Sequence, residues 1–368
     1  MKKIITILCI LIFIELTFNS CFASDIEDKK SKFGIDDFLT KSNKYTDINI
    51  ADTFNDIIKG KFDNNKILNI LKGLTASEFR NTLKTLSGLI IIILINSLIK
   101  AVSENLGNES VSQVANFAQY ILIITILMKD FSNVIQEIKI SIENLTAFSN
   151  TLIPLMLTLI ITTGNITTSG VIEPILLFMV SFIGNFVTKI LIPLVLIGTS
   201  LGIVSKISPN LQIQKLSKFS KKSSVWIITT VLTIFISIAT LEGGLTSNID
   251  GITKKTGKSI VSVAVPVVGS ILGDALETIS GYSNLLKNAV GTIGVFVIVG
   301  ICIKPIVRIG IYTVFYYLCA ALCEPIAEKN VTEIIGQMAE TFKILLSVMI
   351  MILVMLIIGL AIVMKITS

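Results

Sequence analysis

Histidine is absent from all 368 residues, and that absence excludes more chemistry than any other feature of the composition. Without an imidazole there is no Ser-His or Cys-His nucleophile pair, no HExxH zinc site and no histidine proton relay. Charge is scarce too: 15% of the residues are Asp, Glu, Lys or Arg, against about 25% in soluble domains. The five cysteines (Cys9, Cys21, Cys302, Cys319 and Cys323) set up no CxxC pair. The last three fall in apolar runs, which reads as buried structural thiols and not as a metal or redox centre. No Walker-type lysine loop, zinc ligand set or nucleophile elbow is present, so nothing supports an enzyme and no cofactor is required.

What the chain has in excess is hydrocarbon. Hydrophobic residues make up 52% and the mean hydropathy is +0.82. Long uncharged runs of this kind specify an all-α, polytopic membrane protein, because a helix satisfies its own backbone groups in lipid. The formal charge of +6 follows from Lys-rich loops and carries no implication of nucleic acid.

The opening "MKKIITILCILIFIELTFNSCFASDIEDKK" has the anatomy of a secretory signal over residues 1–23. Lys2 and Lys3 supply the positive region, Ile4 to Ile14 the apolar core, and "CFA" before Ser24 a small-x-small cleavage site. Cleavage there would place the mature N-terminus outside the cytoplasm. Residues 24–80 are polar and rich in Lys and Asp, with Ile67, Ile70, Leu71 and Leu74 at amphipathic-helix spacing. That helix fits a lead-in packed on the bundle or a docking arm for an extracytoplasmic partner.

From residue 81 to 368 the chain reads as a membrane domain of about 7–10 segments, some broken or re-entrant. Ser110–Met128, Ser223–Leu241 and Ile344–Met364 are each long enough to cross a bilayer. Asn144–Ile172 is a further uncharged run. Pro174–Ser205 is too long for one simple span and is expected to form a tight hairpin or to break near Pro193. Pro305 is expected to kink or end a helix within Asn288–Cys323. The loop "KISPNLQIQKLSKFSKK" holds Lys206, Lys215, Lys218, Lys221 and Lys222 without an acid, which marks it as cytoplasmic. With an outside N-terminus, that side requires Pro174–Ser205 to cross twice or re-enter.

Two groups of residues are candidates for function. The first is "TTGNITTSG" with the residues after it: Gly164, Asn165, Thr167, Ser169, Gly170, Glu173 and Pro174. Small polar residues with two glycines suit either a broken helix at membrane depth or the turn of a helical hairpin. The second comprises ionisable groups in or near apolar segments: Asp274, Glu277, Lys304 and Arg308, with Lys304 and Arg308 able to pair with either acid. A stand-alone transporter would use Glu173 for ion coupling. An intramembrane aspartyl hydrolase would need Asp274, but "ILGDAL" lacks the first glycine of a GxGD motif.

The order of the segments carries a further signal. "TLIPLMLTLIITTGNITTSGVIEPILLFMVSFIGNFVTKILIPLVL" precedes the Lys-rich loop and "VWIITTVLTIFISIATLEG". Then comes "DGITKKTGKSIVSVAVPVVGSILGDALETISGYSNLLKNAVGTIG". Together they resemble the stage III sporulation protein AE family of endospore-forming Firmicutes, over roughly residue 145 to the C-terminus. The resemblance implies a subunit of a secretion-like complex in the mother-cell membrane around the forespore, acting after engulfment and contributing to a channel. Its implied partners are other membrane subunits, ring proteins, indirectly a secretion-type ATPase, and membrane lipid. No catalytic residue carries over.

Overall fold

A computed structural model describes residues 34–45, 50, 53–54, 64–105, 109–162, 166–207, 213–237 and 268–365. Within the helices only the backbone is described for 64–72, 74, 104–105, 109, 166–173, 175 and 268–282. The signal sequence expected over residues 1–23 lies outside the described residues. So does the run 238–267.

Every described element is helical. A short helix α1 (Ile35–Ser42) leads in. It is followed by α2 (Asn64–Asn105), α3 (Glu109–Thr162) and α4 (Ile166–Phe186). A π-helical turn (Val187–Leu191) joins α4 to α5 (Ile192–Ile207). Next come α6 (Gln214–Ser237), α7 (Val268–Cys323) and α8 (Lys329–Lys365). Six of these runs are long and apolar enough to cross a membrane among the described residues, α4 and α5 counting as one.

Helices also fuse across polar stretches that read as breaks in the sequence. Ser110–Met128 and Asn144–Thr162 belong to the single helix α3, which carries Lys129, Asp130, Glu137, Lys139 and Glu143 between them. Pro305 neither ends nor divides α7, which runs through it. Prolines in packed membrane helices are tolerated because neighbouring groups take up the freed backbone. At 54 and 56 residues, α3 and α7 are each about 80 Å long, far beyond the 30 Å of hydrocarbon.

The expected hairpin within Pro174–Ser205 does not form. Leu176 lies against Gly359 of α8, and Thr199 meets Thr341 of the same helix. The chain therefore keeps one direction through α4 and α5. Near Pro193 it widens locally instead of breaking: proline has no N–H and crowds the preceding turn. The backbone responds with a π turn in which the Ile192 N–H reaches the Val187 carbonyl.

The core is assembled around α7 and α8. On α8 the buried positions Val331, Ile334, Ile335, Met338, Phe342, Leu345, Val348, Met349 and Ile352 recur at three- and four-residue spacing, the signature of one apolar stripe. They meet Val290, Ile293, Val297 and Ile309 of α7, and α3 adds Leu127, Val134, Ile138 and Leu145. The short helix α1 packs on this bundle, Phe38 of α1 and Tyr45 lying 5.8 and 6.0 Å from the Phe148 ring of α3, while the side chains of Ile67, Ile70, Leu71 and Leu74 lie outside the described residues.

Candidate functional site

The bundle's polar chemistry is concentrated where long helices cross. On α7, Arg308 Nη1 donates to Glu137 Oε2 of α3 at 2.9 Å, and its Nε lies 3.5 Å from Glu78 Oε2 of α2. Both glutamates are largely buried, their side chains 16% and 11% exposed. The guanidinium also sits over the Tyr312 ring, 5.6 Å from its centroid. Two turns further along α7, the buried Tyr316 hydroxyl donates to Asp130 Oδ2 of α3 at 2.6 Å. Tyr312, Tyr316 and Phe342 pack as an aromatic trio beside this pair. The consecutive helices α2 and α3 and the distant α7 thus share one ion-pair hub.

A second node closes one end of the bundle. Glu328, between α7 and α8, accepts from Lys100 Nζ at 3.1 Å, Asn116 Nδ2 at 2.8 Å and Tyr120 OH at 3.1 Å. Asn96 of α2 donates to Asn116 and Gln119 of α3 at 2.9 and 2.7 Å. On the same side Lys206 of α5 pairs with Glu333 of α8.

The third polar region, between α5, α6 and α8, is built differently. Ser217 and Ser220 of α6 donate to the Gly198 and Leu194 carbonyls of α5 at 2.7 and 2.9 Å. Thr199 and Thr341 hydroxyls meet at 3.0 Å. The buried Lys221 ammonium donates to the Gln337 carbonyl at 3.0 Å, with Glu340 3.6 Å away. Glycines permit this approach: a Cβ at Gly198 would lie 3.2 Å from Lys221 and Ser220 side-chain carbons.

The candidate residues fare unequally. Gly164 and Asn165 lie outside the described residues, and Thr167, Ser169, Gly170 and Glu173 are placed on α4 by backbone only. Pro174 is exposed inside α4, so it does not open a segment. The polar stretch falls where α3 hands over to α4, two helices that run side by side in opposite directions, with Gly184 set against Ile142 and Thr146. Asp274 and Glu277 lie on α7 itself. They are 34 and 31 residues from Arg308, about 51 and 46 Å along the helix, so the expected pairing with Arg308 is excluded. Arg308 uses Glu78 and Glu137 instead, while Lys304 is exposed and joins no ion pair among the described residues.

Sequence reasoning missed Glu78, Asp130, Glu137, Glu328 and Lys287. Lys287, 1% exposed, donates to the Met364 carbonyl at the end of α8 at 2.7 Å, a cation on the negative end of a helix. Only the interruption of an apolar run by "LLKNA" could have flagged it. Among the described residues no cluster of His, Cys, Asp and Glu could hold a metal. Cys319 and Cys323 are free thiols with sulfurs 4.0 Å apart.

Comparison with known proteins gives one consistent answer. A family model described as stage III sporulation protein AE matches residues 48–367. The chain is similar to the stage III sporulation protein AE of Bacillus subtilis (strain 168), at 28% identity over 259 residues. That alignment covers 70% of this chain and 65% of the relative, so it spans less than two thirds of the relative's length. No solved structure matches.

Proposed function

This chain belongs to the stage III sporulation protein AE family, and on that premise we propose that it is a multi-span membrane subunit required for sporulation after engulfment. It sits in the mother-cell membrane around the forespore, within a secretion-like complex whose other membrane subunits and ring proteins are its partners. Its contribution is to the membrane passage of that complex and not to catalysis. The observation that carries the reading is the extent of the family match: residues 48–367 take in all six candidate spans.

The orientation we propose follows from the helix count. With the N-terminus outside, α2 enters the cytoplasm, α3 leaves it, and the α4–α5 run returns. The Lys206–Lys222 region is then cytoplasmic without any re-entrant segment, as its lysines favour. The fusion of two apolar runs into α3 removes the extra crossing that the separate segments demanded.

Deleting the gene tests the function. Heat-resistant spores should be lost after engulfment, with vegetative growth unchanged. A deletion strain that forms normal spores overturns the proposal.

A further inference from the structure

At one depth, the bundle presents two opposite surfaces. A Cβ built on Gly184 would lie 3.4 Å from Ile142 and Thr146, so the middle of α4 is level with that part of α3. Here α4 exposes Phe178 and Phe182, at 68% and 41%. With Phe186 they form a ladder of stacked rings 5.9 and 5.3 Å apart. Such a surface suits acyl chains. The open face of α3 does not: Lys129, Asn133, Gln136, Lys139, Glu143 and Asn150 are all exposed along one stripe. Exposed Ser181 and Asn185, flanking Gly184, continue that stripe onto α4, and exposed Lys189 lies near the middle of the Leu176–Ile207 span.

Hydrocarbon is a poor solvent for this stripe. In membrane helices, polar side chains of this kind turn toward another helix or toward water held within protein. Nothing in the described chain covers the stripe, and Lys139, Glu143 and Lys189 join no ion pair among the described residues. Their charges are mixed in sign and nearly level. Glu143 is about 6 Å along α3 from Lys139, and the opposite run of α4 brings Lys189 to the height of Lys139. Copies of one membrane protein share an orientation, so groups of equal depth meet, and Glu143 of one copy falls beside Lys139 and Lys189 of the next.

We propose that the α3–α4 polar face is a contact between copies of this chain inside the bilayer, with Glu143 answering Lys139 and Lys189 across it. Because one face of each copy supplies both the acid and the lysines, the contact is isologous and closes as a two-fold pair. The inference rests on the membrane reading of the chain and not on its sporulation role.

Two tagged versions of the full chain, one with Glu143→Cys and one with Lys189→Cys, are co-expressed with Cys9 and Cys21 replaced by serine. Membranes are then treated with a short bis-maleimide. The expected result is a mixed covalent dimer about tenfold above that from a Trp226→Cys control on the apolar surface of α6, a difference of about 1.4 kcal/mol. In light scattering of the purified chain, Glu143→Lys should weaken association about tenfold or more, since like charges then face each other. Adding Lys139→Glu and Lys189→Glu should restore it. A chain that is monomeric and gives no mixed dimer overturns the interface, as does equal crosslinking at Trp226. A monomeric chain whose deletion still blocks sporulation overturns the interface alone and leaves the proposed function standing.

Discussion

Where α2, α3 and α7 meet, the buried polar groups are ions; where α5, α6 and α8 meet, they are chiefly hydroxyls answered by backbone carbonyls. The first region depends on reciprocity. Arg308 is the shared partner of Glu78 and Glu137, so each ion is tolerable only while the others stay. The second has no such dependence, because the Gly198, Leu194 and Gln337 carbonyls already belong to helices. Losing a serine or lysine there leaves few groups stranded. Charge therefore fixes which long helices pair, and hydroxyl-to-carbonyl contacts with glycine let shorter helices approach closely.

The sharpest way to break this contrast is to neutralise one cation in each region. Arg308→Met strands two buried carboxylates and should cost about 3–5 kcal/mol, whereas Lys221→Met should fall within about 1 kcal/mol of the parent. Thermal unfolding of the purified variants in one detergent measures both, and equal losses would dissolve the distinction. A smaller effect is expected at Tyr316→Phe, which removes the hydroxyl donated to Asp130. A hydrogen bond to a charged group is worth about 1.5–3 kcal/mol, read as a lowered unfolding midpoint. Smallest should be Thr199→Val, which loses the contact to Thr341. Interhelical hydrogen bonds of this type average about 0.6 kcal/mol, and a loss as large as that of Tyr316→Phe would mean that the hydroxyl region is also cooperative.

Much of the architecture was legible in the chain. Apolar runs such as Ile344–Met364 announce membrane helices directly, whereas the acid-free lysines from Lys206 to Lys222, read as a loop, lie on the ends of α5 and α6. The fusion of Ser110–Met128 with Asn144–Thr162 was not legible, because Asp130 and Glu137 look like the end of a span until their partners are known. Those partners, Tyr316 and Arg308, stand 186 and 171 residues away. Local pattern reports which residues are apolar, and it cannot report which distant cation makes a carboxylate acceptable inside a helix. For the same reason Arg308 was recognisable as a candidate while its expected partners, Asp274 and Glu277, were the wrong acids. Pro193 and Pro305 misled in another way: proline removes a hydrogen bond wherever it stands, but packing decides whether the helix stops.

The π turn between α4 and α5 has a consequence for the angular register of everything after it. One residue more per turn rotates the following helix by about 100° relative to an uninterrupted α-helix. Gly184, before the turn, addresses α3, while Gly198 and Gly202, after it, address α6 and α8. The turn Val187–Leu191 therefore acts as a phase shifter, letting one membrane-crossing run present its glycines to different neighbours in succession.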